Sequence, residues 1–341
     1  MKNKSKKILI VKIGAIGDVI MCLNTVEYIK GKNKETKVFW LCGKGVEEIL
    51  RLYGKIDYII SINEEKLFKG NFLERIAEIF SLYRKLWFNF FDLIFIGHSD
   101  IRYRILCLPF FCKIKRVFKR NKGRSGIIPG RYHGFEYIRI LEGEDYSRKE
   151  FFTFPKLFYN LQSEFSFLVE KKARRIVLAP GGAKNYLRDD KVRRWPIDYY
   201  VRLANMLIEN KFEVILIGAV SDKWCEKYFT NMKLINLIGR TNVKDLIAIF
   251  NHSDFLVTHD SGPLHLGVIS GIKVIGIFGP TIPYEKLPGL SHIDFVWGGR
   301  KLACSPCYDG KDYALCDENK CMYEVTPEII FEKIIKNDSN T

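Results

Sequence analysis

No stretch of this 341-residue chain is long and apolar enough to span a bilayer. The longest apolar stretches, Leu86–Gly97 and Ile105–Cys112, are short and interrupted, so any membrane contact is expected to be peripheral. The lysine-rich start followed by Ile8-Leu-Ile-Val11 begins like a signal peptide, but Lys12 and Asp18 break the apolar run and no small-residue cleavage site follows, which points to a first β-strand instead. Acidic residues are also scarce: 39 Asp and Glu stand against 55 Lys and Arg, a net charge of +16 that calls for an anionic partner, whether nucleic acid, membrane surface or acidic substrate. With 47% apolar residues, disorder is excluded.

The charge is unevenly placed. Residues 1–150 hold 30 basic against 17 acidic residues, and residues 151–341 hold 25 against 22. Between Arg102 and Arg131 there are ten basic residues, among them Lys113, Lys115, Arg116, Lys119 and Arg120, and no acid. This is either a solvated Lys-rich face or, with Phe110, Phe111 and Phe118 interleaved, a partly apolar lip that meets phosphate groups. Nine cysteines in a chain of this size do not make a secreted disulfide scaffold. Cys22, Cys42, Cys107, Cys112 and Cys225 lie in apolar segments like core thiols, whereas Cys304, Cys307, Cys316 and Cys321 have metal-ligand form without the spacing of a defined finger. Structural zinc, or free or paired thiols stapling the loop before a final helix Pro327–Lys336, are the two readings.

Apolar, β-branched runs at Lys7–Ile13, Lys37–Cys42, Asp57–Ile62 and Leu93–Gly97 alternate with amphipathic segments, including a helix from Val19 to about Lys30. After a weakly periodic stretch, Glu142–Phe167, the alternation restarts. Strands are expected at Arg175–Ala179, Glu213–Gly218, Leu237, Phe255–His259 and Lys273–Phe278. Helices are expected from Pro196, at the N1 position, to Asn210, from Ser221, and at Val243–Asn251 and Gly262–Ser270. The pattern is α/β: two doubly wound Rossmann-like domains, 1–167 and 168–325, with a cleft between them lined by the loops after the strands.

Those loops carry the candidate chemistry. Gly14-Ala-Ile-Gly17-Asp18 lacks the G-x-G-x-x-G spacing, and the second strand ends in Leu41-Cys42-Gly43 with no acid to hold a ribose, so a nicotinamide enzyme is disfavoured. Asp18 is either a carboxylate capping the helix or a general base. Ala179-Pro-Gly181-Gly182-Ala183, with the basic loop Lys184–Arg194 and Trp195-Pro196 behind it, suits a diphosphate; the alternative is an exposed charged loop. Thr258-His-Asp260-Ser261-Gly262-Pro-Leu-His265 joins a strand to a helix whose first N–H groups point at an anion, and Gly279-Pro-Thr281 follows the next strand.

Together with Lys7–Asp18 and the Cys304-Ser-Pro-Cys307 region, these blocks resemble glycosyltransferase family 9, the ADP-heptose:lipopolysaccharide heptosyltransferases, from about residue 7 to 330 and best between 174 and 285. The resemblance implies a GT-B fold with the acceptor on the N-terminal domain and the nucleotide-sugar on the C-terminal one, and a C-terminal helix, 326–341, packing back toward the N-terminal domain. It makes Asp18 the base, with Lys12, Gly14, Gly17, Lys113, Arg116 and Arg120 toward the acceptor. It puts Gly181, Gly182, Lys191 or Arg193, Asp260, Ser261, Gly262 and His265 on the donor phosphates, Asp222 near the ribose, and Leu237 and Ile238 beside the adenine. The family usually has Lys before Trp-Pro where this chain has Arg193-Arg194, so the side chain that takes the role stays open. An inverting transfer needing no cofactor is implied, from ADP-heptose to the lipopolysaccharide inner core (Kdo-lipid A or heptosyl-Kdo), at the cytoplasmic face of the inner membrane and against its anionic surface. The alternatives are a GT-B enzyme for another nucleotide-sugar, or a basic nucleic-acid-binding protein; the second is disfavoured because no zinc-finger helix, RRM signature or helix-turn-helix is present.

Overall fold

The computed structural model describes residues 5–119, 126–143, 153–183, 189–309 and 312–339. The chain forms two compact units, Met1–Pro155 and Lys156–Thr341. The division falls twelve residues before the expected 167/168 boundary, because Leu157 N–H bonds the Ile269 carbonyl (2.7 Å) and the 3₁₀ turn Ser163–Leu168 buries Phe165 and Leu168.

The first unit runs β1 (Lys7–Val11), α1 (Ile16–Lys32), β2 (Lys37–Gly43), α2 (Lys44–Tyr53), β3 (Tyr58–Ile62), α3 (Glu64–Lys69), α4 (Phe72–Leu86), β4 (Phe90–Ile96), α5 (Ile101–Leu106), β5 (Phe111–Val117) and α6 (His133–Glu142). Its strands form a parallel sheet in the order β3-β2-β1-β4-β5, and the order reverses between β1 and β4. Leu9 and Val11 of β1 and Phe39 and Leu41 of β2 form a core on one face with Leu82 and Leu86 of α4 and Tyr103 and Leu106 of α5. A reciprocal cap, Asn71 with Glu74, starts α4. Phe110 is part of this core, edge-on to Tyr83, and so is not a lip residue; Phe118 stacks edge-on against Tyr137, and Phe111 is exposed.

The second unit runs β6 (Arg175–Ala179), α7 (Ile197–Glu209), β7 (Glu213–Leu216), β8 (Ile235–Asn236), α8 (Val243–Asn251), β9 (Phe255–His259), α9 (Gly262–Ser270), β10 (Lys273–Phe278), α10 (Pro283–Lys286), β11 (Ile293–Trp297), α11 (Lys320–Tyr323) and α12 (Pro327–Ser339). The sheet order is β11-β10-β9-β6-β7-β8, all parallel, with its reversal between β6 and β9. Pro196 is the N-cap of α7 rather than its first residue, and the segment expected as a helix from Ser221 is a 3₁₀ run, Val220–Tyr228. The C-terminal helix does not leave this unit: Ile330 and Ile334 of α12 are buried in one core with Tyr200, Leu203 and Leu207 of α7. Among the described residues no helix is long and apolar enough to cross a membrane.

Candidate active site

In parallel α/β sheets, ligands bind beyond the carboxyl ends of the strands where the strand order reverses. In the first unit that position holds the loops after β1 and β4. Asp18 stands in the first turn of α1, where a carboxylate is favoured by the helix dipole, and its side chain remains 39% exposed. Its Oδ2 lies 3.2 Å from Nζ of Lys12, which is buried. Lys12 also donates to the Gly97 carbonyl (2.9 Å) and sits 5.1 Å from the centre of the Tyr137 ring, so its ammonium is held from three sides. His98, in the loop after β4, accepts the Ile13 N–H at Nε2 (2.8 Å) and stacks on Tyr103. Burial, then the Lys12 charge, push the imidazole pKa well below its ordinary value, so the ring is neutral at pH 7. Gly14 passes within 3.6 Å of the Glu64 carboxylate when given a Cβ, and Gly17 lies inside α1.

The basic stretch divides. Arg116 is near the end of β5 but turns its guanidinium to the C-terminal end of α6, where Nη2 donates to the Glu142 carbonyl (3.4 Å); Glu142 in turn pairs with Lys32, at the far end of α1 from Asp18. Lys113 lies at the rim opposite Asp18, level with the start of β4, and pairs with Asp92 (2.7 Å). Four residues along a strand are about 13 Å, so Lys113 is not brought together with Asp18. Arg120, Lys122 and Arg124 lie outside the described residues.

In the second unit the loops after β6, β9 and β10 converge. Asp260 is buried. Its carboxylate accepts from Thr281 Oγ1 (2.9 Å), lies 3.7 Å from Arg193 Nη1 and 3.8 Å from His265 Nε2, and Arg193 Nη1 also donates to the Asp260 carbonyl (2.9 Å). Burial alone would raise its pKa; His265 and the charges of Arg193 and Lys286 more than offset this and hold Asp260 well below the usual carboxylate range. Arg193 is further tied to Asp190 (3.1 Å), while its Nε is buried without a hydrogen-bond partner among the described residues. Ser261 is the N-cap residue of α9 but its hydroxyl makes no capping bond; Oγ lies 3.3 Å from Thr258 Oγ1. Gly262 opens α9, whose first N–H groups have no partner within the helix. Gly182, at φ +88°, would bring a Cβ within 3.1 Å of the Ser261 Cβ, so only glycine lets the loop after β6 approach α9 this closely.

The three cations of the Lys191–Arg194 turn have different surroundings. Lys191 is exposed, Arg193 meets Asp260, and Arg194 braces the glycine loop through the Gly182 carbonyl (2.9 Å), with its guanidinium over Trp224. Lys184 and Arg188 lie outside the described residues. Asp222 is also a brace: it accepts from Gly182 N–H (3.0 Å) and Ala219 N–H (2.9 Å), and a Cβ on Gly181 would come within 2.4 Å of it. Leu237 and Ile238 are buried, and both N–H groups already donate, to Leu216 O and Asn236 Oδ1. His98 was missed by sequence reading, and Thr281 was noted in its loop without a role; each follows a strand, which was the available signal.

The late cysteines do not bear out a zinc site. All four are free thiols, with Cys304 and Cys316 exposed and Cys321 buried, and among the described residues no group of three or more His, Cys, Asp or Glu could hold a metal. Burial, followed by the neighbouring thiols, pushes Cys321 up to about 11.

Two parallel doubly wound units, one with a half-exposed carboxylate and one with an anion-binding corner at the reversal of strand order, define a GT-B type α/β enzyme. A family model described as glycosyltransferase family 9 (heptosyltransferase) matches residues 151–316. Lipooligosaccharide heptosyltransferase 2 of Campylobacter jejuni subsp. jejuni serotype O:6 is 26% identical over 334 residues, covering 94% of this chain and 96% of the relative. The glycosyl transferase family 9 structure from Veillonella parvula shares the fold with a TM-score of 0.74 at 17% identity over 97% of each chain. The E. coli ADP-heptose lps heptosyltransferase II structure does so at 0.73 and 16%, over 97% of this chain and 98% of that one. The chain is a glycosyltransferase, similar to the family 9 heptosyltransferases over nearly its whole length.

Proposed function

We propose that the protein moves heptose from ADP-heptose to a hydroxyl of the lipopolysaccharide inner core, with inversion at the anomeric carbon. The observation that carries this is the Lys12–Asp18 pair: a carboxylate that is exposed to a substrate yet oriented by a buried ammonium 3.2 Å away. Asp18 takes the proton of the acceptor hydroxyl as its oxygen forms a bond to the anomeric carbon. The bond from that carbon to the ADP oxygen breaks, and ADP leaves with the electron pair. Arg193, the N–H groups opening α9, and the Ser261 hydroxyl stabilise the developing diphosphate charge, with Lys191 at the exposed edge. Asp260 positions Arg193 and His265; Asp222 and Arg194 hold the glycine loop; Leu237 and Ile238 form an apolar wall for the adenine. Because these groups supply the neutralising charge, turnover is expected to persist in a chelator.

On the acceptor side, Gly14 and Gly17 lie beside Asp18 with Lys12 buried behind it, and the positive first unit suits phosphates and Kdo carboxylates better than nucleic acid. The protein then works as a peripheral enzyme at the cytoplasmic face of the inner membrane. The test is to incubate it with ADP-heptose and Kdo-lipid A and follow ADP release together with the acceptor mass. One added heptose per ADP supports the reading; release only from a different nucleotide-sugar overturns it in favour of another GT-B specificity.

A further inference from the structure

Helices α4 and α5 pack on one face of the first sheet and share its core through Leu82, Leu86, Tyr103 and Leu106. A helix with one face so used normally turns polar residues outward. Here the outward faces are apolar as well. On α4, Phe72, Ile76 and Phe80 recur at the four-residue spacing that places them on one stripe, and they are 74%, 48% and 67% exposed. Phe88, just past the helix, is 93% exposed, and on α5 Ile101 and Ile105 repeat the spacing at 59% and 56%. A soluble surface rarely carries so many large apolar side chains together unless something covers them.

Charge identifies what does. Residues 69–119, which contain both helices and the edge strand β5, hold ten Lys or Arg against four Asp or Glu. A second copy of the chain would bring the same positive field against itself. A bilayer with anionic headgroups offers the two features the surface lacks, an apolar interior for the rings and negative charge for the surrounding cations. Helices in parallel α/β units run antiparallel to the strands, so the N-terminal ends of α4 and α5, with Phe72 and Ile101, lie at the rim that carries Asp18.

We propose that the outward faces of α4 and α5 dock on an anionic lipid bilayer and hold the Asp18 rim close to its surface. The proposal rests on the lipid-anchored acceptor of the preceding reading, and it assigns the inserted side chains to α4 and α5, with the start of the basic stretch 102–131 supplying part of the surrounding charge.

The test uses the full chain and vesicles of phosphatidylglycerol and phosphatidylcholine, or phosphatidylcholine alone, without acceptor. The wild type is expected to co-sediment with the anionic vesicles, less so as salt is raised, and only weakly with neutral ones. Phe72→Ser/Ile76→Ser/Phe80→Ser should lower the partition coefficient by at least about 10-fold, since three inserted side chains are lost. Its circular dichroism and Tm should match the wild type, and Ile101→Ser/Ile105→Ser on α5 should act in the same direction. Unchanged partitioning of both variants overturns the proposal. So does a wild-type dimer in sedimentation velocity that the triple variant dissolves, because the face is then a self-association surface. Two activity assays separate this from the proposed reaction. With a delipidated, water-soluble acceptor the triple variant should turn over like the wild type, and with acceptor in vesicles its KM should rise by about 10-fold or more. If neither protein transfers heptose but vesicle binding still depends on these residues, the reaction assignment fails and the surface stands.

Discussion

The reversal points of the two sheets each present an aspartate just beyond a strand, and the two are treated in opposite ways. Asp18 keeps 39% of its side chain exposed and lies 3.2 Å from the buried Lys12 ammonium. Asp260 is buried and meets Thr281, Arg193 and His265. A carboxylate whose oxygens are occupied and whose proton affinity is strongly depressed cannot serve as a base near neutral pH; it organises the groups around it. The exposed carboxylate can accept a proton. The comparison fits the proposed division, with proton transfer in the first unit and donor binding in the second.

The largest effect expected from breaking this division is on turnover. Asp18→Asn keeps the shape and the helix start but cannot take a proton, so kcat should fall by about 10²–10⁴-fold, measured as ADP release at saturating substrates. Asp260→Asn should act on stability and donor affinity instead. Arg193 keeps Asp190 at 3.1 Å but loses its buried partner, at a cost of about 1–3 kcal/mol, to be read from denaturant unfolding. Next comes the choice among the neighbouring cations: Arg193→Gln should weaken ADP binding by about 10–100-fold, whereas Lys191→Gln changes it little.

The last effect is on pH dependence, away from the reacting groups. His259 is buried with Nδ1 3.1 Å from the Tyr200 hydroxyl, and burial, followed by the Arg193 and Arg194 charges, lowers its pKa from 6.5 to about 3. Between these values the unfolded chain binds a proton that the folded one refuses. Stability from this group is therefore complete above pH 6.5 and is lost as pH falls toward about 3, at up to about 1.4 kcal/mol per pH unit. His259→Asn should flatten Tm against pH over that window.

The centres of both sheets were legible in the sequence. Val243–Asn251, Phe255–His259, Gly262–Ser270 and Lys273–Phe278 were read with the limits the structure shows, because buried parallel strands are continuous apolar runs and their helices begin and end on turn residues. The strands that escaped, β5 and β11, are both at sheet edges. With one neighbour and a wetter surface, β5 carries Lys113, Lys115 and Arg116 within FCKIKRV and reads as a basic stretch. The loops of the site were legible as well, since each follows a strand. What joins them was not: Thr281 reaches Asp260 across 21 residues, and Lys191, Arg193 and Arg194 look equivalent until one of them meets the buried carboxylate. The ribose role of Asp222 came from the family resemblance alone, and the two N–H groups it accepts from make it a brace of the glycine loop.

The most direct test of the division of labour is calorimetric titration of ADP into Asp18→Asn alongside the turnover assay on the same preparation. The account predicts ADP affinity within about 2-fold of wild type, less than 0.5 kcal/mol, with heptose transfer all but abolished. A parallel loss of ADP affinity and turnover would contradict it and make Asp18 part of the framework that holds the donor.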